Sequence, residues 1–367
     1  MSNPLIDNLQ QWMKDNAVDV TYIHHPNSIA YFTSYESDPH ERILALFVPV
    51  EGEPFLFTPA LEVEDAENSN WPYEVHGYLD TEDPWKKIAN YIRQFPAYRQ
   101  FAIEKNSLPV ERFEALQAQF PDARLTMDVT PFIQRSQLCK TEEEKQFMME
   151  AGHWADVAFE VGFKAIKEGV SEQEIVAQIE FELKKHGVSH MSFDTLVLAG
   201  AHAASPHGAP TTTNKIQDHE LVLFDLGCMW KGYASDATRM ASYKEPTDLQ
   251  RKIFDIVFEA QARAQEAAKP GMTAGQLDAI ARDYITSKGY GEYFTHRLGH
   301  GIGKSCHEFP SIVGGSDVVL EEGMCFSIEP GIYIPNEVGV RVEDCGYLTK
   351  DGFEAFTKTP KELHIIQ

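Results

Sequence analysis

In the first third of the chain, short apolar runs alternate with stretches whose apolar residues recur every three or four positions. Runs at residues 18–24, 43–50, 54–57 and 100–104 predict strands. Residues 84–94 and 109–120 are amphipathic and each opens on a proline, which a first helical turn tolerates. The pattern predicts a small α/β domain over residues 1–132. A long helix is then expected from Thr141, where a hydroxyl and the acids Glu142, Glu143 and Glu144 suit orphan amides and a positive dipole end. Thr141 with Glu144 also fits a capping box. This helix should run to about residue 167 and stop at Gly169. Another should open at Ser171, again with Glu174 three positions on, and end before Gly187.

The same punctuation then returns. Gly169-Val-Ser171 and Gly271-Met-Thr273 lie 102 positions apart, as do Gly187 and Gly289. His207 and His307 lie 100 apart, and two apolar runs ending Asp225-Leu-Gly227 and Glu329-Pro-Gly331 lie 104 apart. Such a period is too long for a solenoid. It predicts one α+β domain over residues 133–367, built from two similar halves. Halves related by a pseudo-twofold axis bring their equivalent residues together at the centre.

Each half carries a hairpin of carboxylates. Asp225 and Asp236 are separated by Gly227 and Gly232, so two strands can set their side chains opposite each other on one face. Glu329 and Glu343 flank a loop with Pro335, Asn336 and Gly339, and alternation over residues 339–343 puts Arg341 and Glu343 on the same face. Four carboxylates meeting among apolar strands repel one another and resist desolvation. A bound cation resolves that conflict better than a solvated edge does. Imidazoles are close at hand: His296, His300 and His307 fall within 12 positions, in a run whose glycines allow close backbone approach. Carboxylates with one imidazole suit hard or borderline ions such as Mn²⁺, with Zn²⁺, Co²⁺ or Fe²⁺ as alternatives. There are enough oxygens to bridge two ions, the arrangement of two-metal hydrolysis.

Composition narrows the partners. The 367 residues carry 32 Lys+Arg against 56 Asp+Glu, a formal net charge of −24, which disfavours nucleic acid and anionic membranes. The longest near-continuous apolar run, residues 43–50, is far below the ~20 residues of a membrane helix. The amino terminus shows neither the basic nor the apolar stretch of a secretory signal. Cys139, Cys228, Cys306, Cys325 and Cys345 are scattered without a CxxC pair, so a reducing, cytoplasmic setting is expected. Cys228 and Cys306 are expected to serve packing alone.

The segments DLGCMWKGYASDATR, HRLGHGIG, IEPGIYIP and GVRVED resemble those of the pita-bread metallopeptidases, and the chain's length and two-part layout are similar to the bacterial Xaa-Pro dipeptidases within that family. The resemblance implies a duplicated pita-bread catalytic domain behind a smaller creatinase-like α/β domain. It implies Asp225 on one ion, His300 on the other, Asp236 and Glu343 bridging, and Glu329 as the remaining carboxylate ligand, near a bridging hydroxide. His207 in SPHGAP, His307 in CHEFP, His296 and Arg341 match further active-site positions. A homodimer is implied as well.

These roles describe hydrolysis of the Xaa-Pro bond of dipeptides. A prolyl amide has no N–H and restricted torsions, so it needs a pocket shaped to its ring. A dipeptide's C-terminal carboxylate needs a cation, for which Arg341 and Arg297 are candidates. Asp38, His40 and Arg42, on a charged loop of the first domain, are expected to reach a neighbouring subunit's site and limit substrate length. An Xaa-Pro aminopeptidase acting on longer peptides is the alternative enzyme, and an inactive pita-bread binding scaffold is the alternative without chemistry.

Overall fold

The computed structural model describes residues 3–367, which form two compact units, one ending at Ser136 and the other spanning Gln137–Gln367. In the first unit, Asn3 caps α1 (Pro4–Asp15) by accepting from the Leu5 and Ile6 amides, and Ile6, Leu9 and Met13 form its buried stripe. Then come β1 (Val20–Ile23), α2 (Pro26–Thr33), β2 (Ala45–Pro49), β3 (Phe55–Pro59), α3 (Val63–Glu67) and β4 (Glu74–Tyr78). The unit continues through α4 (Pro84–Ile92), β5 (Gln100–Ile103), α5 (Val110–Gln119), β6 (Arg124–Asp128) and α6 (Thr130–Gln137). Its strands make one mixed sheet in the order β4-β3-β2-β1-β5-β6. Helices cover both faces. Ile6, Leu9, Ile29 and Ile133 pack with Leu46 and Leu56, while Ile88, Ile92 and Leu116 pack with Phe47, Phe57 and Phe101. The predicted strands correspond to β1, β2, β3 and β5, and the predicted helices to α4 and α5. The sequence pattern did not predict α1, α2, α3, α6, β4 or β6.

The second unit opens with α7 (Glu142–Ala165) and α8 (Glu172–Lys185), followed by β7 (Leu196–Ala199), β8 (Glu220–Leu226), β9 (Met229–Trp230), β10 (Tyr233–Ala234) and β11 (Ala237–Tyr243). It then runs α9 (Asp248–Ala267), α10 (Ala274–Ser287), β12 (Gly299–Gly301), β13 (Glu308–Ile312), β14 (Cys325–Ile328), β15 (Gly331–Ile334), β16 (Val338–Arg341) and β17 (Glu343–Thr349). All four helices begin with a reciprocal capping box: Thr141 with Glu144, Ser171 with Glu174, Thr247 with Gln250 and Thr273 with Gln276. Two of these boxes are the ones expected.

The duplication is visible in individual bonds. Gly169 N donates to Ile216 O at 3.0 Å and Gly271 N to Leu320 O at 2.9 Å. Ser171 bridges Lys215, and Thr273 bridges Val319. Gly169 and Gly271 both have positive φ, +79° and +91°. The main sheet runs β13-β12-β14-β17-β11-β8-β7, so β7-β8-β11 and β12-β14-β17 mirror each other. β11 and β17 meet antiparallel at the centre, with Thr238 opposite Glu343. Along β8, Val222 and Phe224 join the core under α7 and α8, with Phe159, Ile175 and Ile179. Alternation turns Leu221, Leu223 and Asp225 to the other face. Burying each such aliphatic or aromatic side chain contributes about 1.5–3 kcal/mol, which fixes the register that aims Asp225 inward.

Among the described residues, no helix is long and apolar enough to cross a membrane.

Candidate metal centre

Strand register brings the acids together, though not in the expected pairing. Asp225 lies opposite Thr238 rather than Asp236, and Thr238 lies opposite Glu343. These three residues therefore form one row across β8, β11 and β17. Asp236 stands two residues before Thr238, where the return strand breaks between β10 and β11. The second hairpin differs from expectation too. Val342 interrupts the run at 339–343: β16 pairs with β15 in a separate ribbon, and β17 starts afresh at Glu343. Arg341 and Glu343 still point into the same place, because Arg341 Nε donates to Thr238 Oγ1 at 3.0 Å and Thr238 Oγ1 donates to Glu343 Oε2 at 2.7 Å.

His300 sits on β12 and Glu329 just past β14. A Cβ on Gly299 would lie 1.9 Å from Ser327 O, so only glycine lets β12 approach β14 this closely. His300 N donates to Ser327 Oγ at 2.9 Å, and Ser327 Oγ donates to Glu329 Oε1 at 2.9 Å. His300 Nδ1 donates to Gly301 O at 3.0 Å, which aims Nε2 at the acids: 3.2 Å from Glu329 Oε1 and 3.5 Å from Asp236 Oδ2. One ligand atom each from Asp236, His300 and Glu343 falls within 4.8 Å of the other two.

A second chain of bonds runs behind the acids. Arg341 Nη2 pairs with Asp225 Oδ2, and Nη1 donates to Tyr333 OH at 2.8 Å. Tyr333 OH lies 3.1 Å from His296 Nε2, while His296 Nδ1 donates to Arg297 O at 2.7 Å. Those partners give Tyr333 one bond to accept and one to donate. His307 lies beside His300 with ring centroids 4.2 Å apart and planes tilted by 56°, and Lys140 pairs with the adjoining Glu308 at 2.8 Å. Arg297 Nη1 donates to Ser311 Oγ at 2.9 Å.

Of the site residues expected from the sequence, all except Asp38, His40 and Arg42 line one cavity of about 600 Å³: Asp225, Asp236, His300, Glu329 and Glu343 together with His207, His296, Arg297, His307 and Arg341. Phe193, Leu196 and Pro206 supply apolar wall. The loop residues belong to the other unit. There Arg42 makes a two-pronged pair with Asp80, Nε to Oδ1 and Nη2 to Oδ2, both at 2.9 Å. Asp38 Oδ1 accepts from His40 N at 3.1 Å.

The charge balance is what suits this cavity to cations. Burial raises Asp225, opposed by Arg341, and raises Glu343 further, with Asp236 adding repulsion. Burial and the neighbouring Asp225 push Asp236 up to about 8. Glu329 goes the other way: burial opposes it, but the hydrogen bond and charge of His300 hold it down at about 2. His300 is raised by that same pairing, against the pull of burial. Arg341 and His300 thus answer two of the four acids, leaving the others to hold protons or take a cation. Asp225 Oδ1 is buried without a hydrogen-bond partner in the protein. An unpaired carboxylate oxygen in a pocket of raised acids, beside an imidazole nitrogen turned toward those acids, fits a divalent ion.

Sequence reasoning passed over Thr238 and Ser327, which orient Glu343 and Glu329, and Tyr333, which joins Arg341 to His296. Ser327 and Tyr333 are each the one polar side chain of a short apolar strand, but the sequence does not show what they bond on other strands, and Thr238 has Arg239 and Ser242 beside it in β11. Cys306 is a correction. It is buried, as expected, but its Sγ donates to Asp236 Oδ2 at 3.2 Å, so it does more than fill space. Cys228 does lie in the apolar core.

A carboxylate-rich centre for divalent cations, built by duplicated halves, defines a metallohydrolase. Profile comparison makes this specific: residues 146–350 match metallopeptidase family M24, and residues 6–137 match the creatinase/prolidase N-terminal domain. The chain belongs to metallopeptidase family M24, with a creatinase-like first unit and a pita-bread second unit. It is 56% identical over 363 residues to an Xaa-Pro dipeptidase of Lactobacillus helveticus, covering 98% of both chains. The solved Xaa-Pro dipeptidase of Bacillus anthracis superposes with a TM-score of 0.92 at 34% identity, covering 99% of each chain. The prolidase of Pyrococcus horikoshii gives 0.91 at 35% identity, covering 98% of this chain and 100% of its own.

Proposed function

We propose that this chain is an Xaa-Pro dipeptidase, hydrolysing the amide bond that precedes the proline of a dipeptide. One observation carries the chemistry: a buried cluster of four carboxylates and one imidazole, with Asp225 Oδ1 left unpaired. The end-to-end likeness to Xaa-Pro dipeptidases supports the substrate. Asp225, Asp236, His300, Glu329 and Glu343 hold two divalent ions, for which Mn²⁺ suits the oxygen-rich donors, Co²⁺ and Zn²⁺ being the alternatives. When bound, the ions supply Lewis-acid polarisation of the scissile carbonyl and lower the pKa of a water.

The protein's own groups do the rest. Glu329, ionised at neutral pH, accepts the proton of the attacking water and returns it to the prolyl nitrogen as the C–N bond breaks. His307 is lowered to about 4, chiefly by burial, so it is neutral at pH 7 and donates a hydrogen bond to the carbonyl oxygen as charge builds there. His207 binds the substrate backbone. Arg341 holds Asp225 directly and His296 through Tyr333. Arg297, steadied by Ser311, receives the C-terminal carboxylate.

Asp38, His40 and Arg42 limit substrate length from the neighbouring subunit of a homodimer. Arg112 Nη2 donates to the Arg42 carbonyl at 3.0 Å, tying this loop to α5. We place the enzyme in the cytoplasm, consistent with five cysteines that form no disulfide among the described residues, and without a nucleic-acid partner at a net charge of −24. The test is hydrolysis of Leu-Pro and Leu-Pro-Gly by chelator-stripped protein resupplied with Mn²⁺, Co²⁺ or Zn²⁺. Cleavage of the dipeptide alone, restored by an ion, supports the reading. Restoration by none of the three counts against it, and equal cleavage of the tripeptide favours an aminopeptidase.

A further inference from the structure

The segment that brings His207 into the cavity belongs to no strand, yet both of its ends are tied to a single carboxylate. Glu172 is the first residue of α8 and fully buried. Its Oε1 accepts from Ala199 N at 2.8 Å, His202 Nδ1 at 2.8 Å and Asn214 Nδ2 at 2.7 Å. Its Oε2 accepts from Thr211 N at 3.0 Å and shares His202 Nδ1 at 3.0 Å. The anchored His202 and Thr211 therefore bracket His207. Asn214 Nδ2 also donates to Ala199 O at 3.1 Å, closing the base of the loop. Among the described residues the His207 ring has no hydrogen-bond partner, so its position depends on the backbone beneath it.

The second half solves the same problem from the corresponding helix. Asp278, buried on α10, accepts from Leu298 N at 3.1 Å and pairs with Arg282 at 2.7 Å. Arg282 in turn donates to Phe294 O at 3.0 Å and His296 O at 2.8 Å. Each half thus fixes a histidine-bearing segment with a buried acid from its second helix, using different side chains. Desolvating an acid is costly unless every oxygen is satisfied. An acid so placed, at a loop rather than in a core layer, is explained by what the loop carries.

We propose that Glu172 is a positioning residue for His207: it holds the ends of the 199–214 segment so that the imidazole sits over the substrate. This rests on the reading of the cavity as an Xaa-Pro dipeptidase site. A histidine displaced by about 1 Å loses up to about a hundredfold in rate.

The test is a double-mutant cycle on the ion-loaded, full-length protein with Leu-Pro. Glu172→Gln and His202→Ala should each lower kcat by about tenfold or more, with bound ion per chain unchanged. In a His207→Ala background the same substitutions should cost less than about twofold. His202→Asn, whose amide can replace the Nδ1 donor, should recover most of the rate. Because Glu172→Gln risks misfolding, the partly exposed His202 provides the second variant. Amide exchange across residues 203–210 should rise about tenfold or more in Glu172→Gln and His202→Ala, and not at residues 225–236. Losses that multiply with His207→Ala, or exchange that does not change, would overturn the proposal. Should the wild-type protein cleave no Xaa-Pro dipeptide, the dipeptidase reading falls, and the exchange measurement alone still decides whether Glu172 holds the segment.

Discussion

Stripping the ions and titrating Mn²⁺ back at different pH values measures the protons that the acids hold in their place. Burial, reinforced by Asp225, lifts Asp236 to about 8, and burial raises Asp225 and Glu343 as well. A carboxyl raised in the folded state carries a proton between its ordinary value of 3.8 and about 8, and an incoming ion must expel it. Binding then strengthens tenfold per pH unit for each proton released. The histidines do not cancel this above pH 6.5. His307 and His296 are lowered, chiefly by burial, so they are already neutral there, while the raised His300 must also lose a proton and acts in the same direction. From about pH 6.5 to about 8, where Asp236 is half deprotonated, this group alone should tighten Mn²⁺ binding roughly 15-fold, about 1.6 kcal/mol. The sign for folding follows. The stripped protein binds more protons folded than unfolded in this interval, so its stability falls as pH rises and the stabilising effect of Mn²⁺ grows. Calorimetric titration in two buffers of different ionisation enthalpy gives both the affinity and the proton count. An affinity constant to within about threefold over that interval, or no proton released near pH 7, would refute the reasoning.

Other substitutions probe the supports around the acids. Arg341→Met removes the buried cation facing Asp225; urea unfolding of the stripped protein should show a loss of about 3–5 kcal/mol, and added Mn²⁺ should recover part of it. Gly339→Ala would put a Cβ 1.8 Å from Ala203 O, forcing apart the segments that carry Arg341 and His207. It should destabilise by about 1–3 kcal/mol and lower kcat, and unchanged thermal unfolding would show that this close approach is absent. Cys306→Ala deletes the thiol donor to Asp236 and should weaken Mn²⁺ binding about tenfold; unaltered affinity would return Cys306 to a packing role.

Where a feature depends on spacing along the chain, the sequence shows it. The capping boxes at Thr141 and Ser171 and the repeat of about 102 positions need only local chemistry and a count, and both stand in the structure. The same holds for the acids, since a buried apolar strand ending in a carboxylate is conspicuous. Edge strands are less so. β4 and β6 border the first sheet, bury few of their residues and so lack a clear alternation. α1 was legible in its Ile6, Leu9, Met13 spacing, but the polar residues between those three hide it as an apolar run, and only the helical period reveals it. Register lay beyond reach. That Asp225 faces Thr238, and that Val342 splits the last hairpin, follow from how two halves meet across β11 and β17, which no local pattern encodes. Thr238, Ser327 and Tyr333 were hidden for the same reason: each matters through a partner on another strand.

Bound ion and turnover measured on one sample test the metal centre most directly. Stripped protein is titrated with Mn²⁺ while ion content and Leu-Pro cleavage are followed together, beside a variant carrying Asp236→Asn and Glu343→Gln. Cleavage should be absent without ions, rise to a plateau at two ions per chain, and vanish with the ions in the variant. Full cleavage by ion-free protein, or two ions still held by the variant, would contradict the assignment.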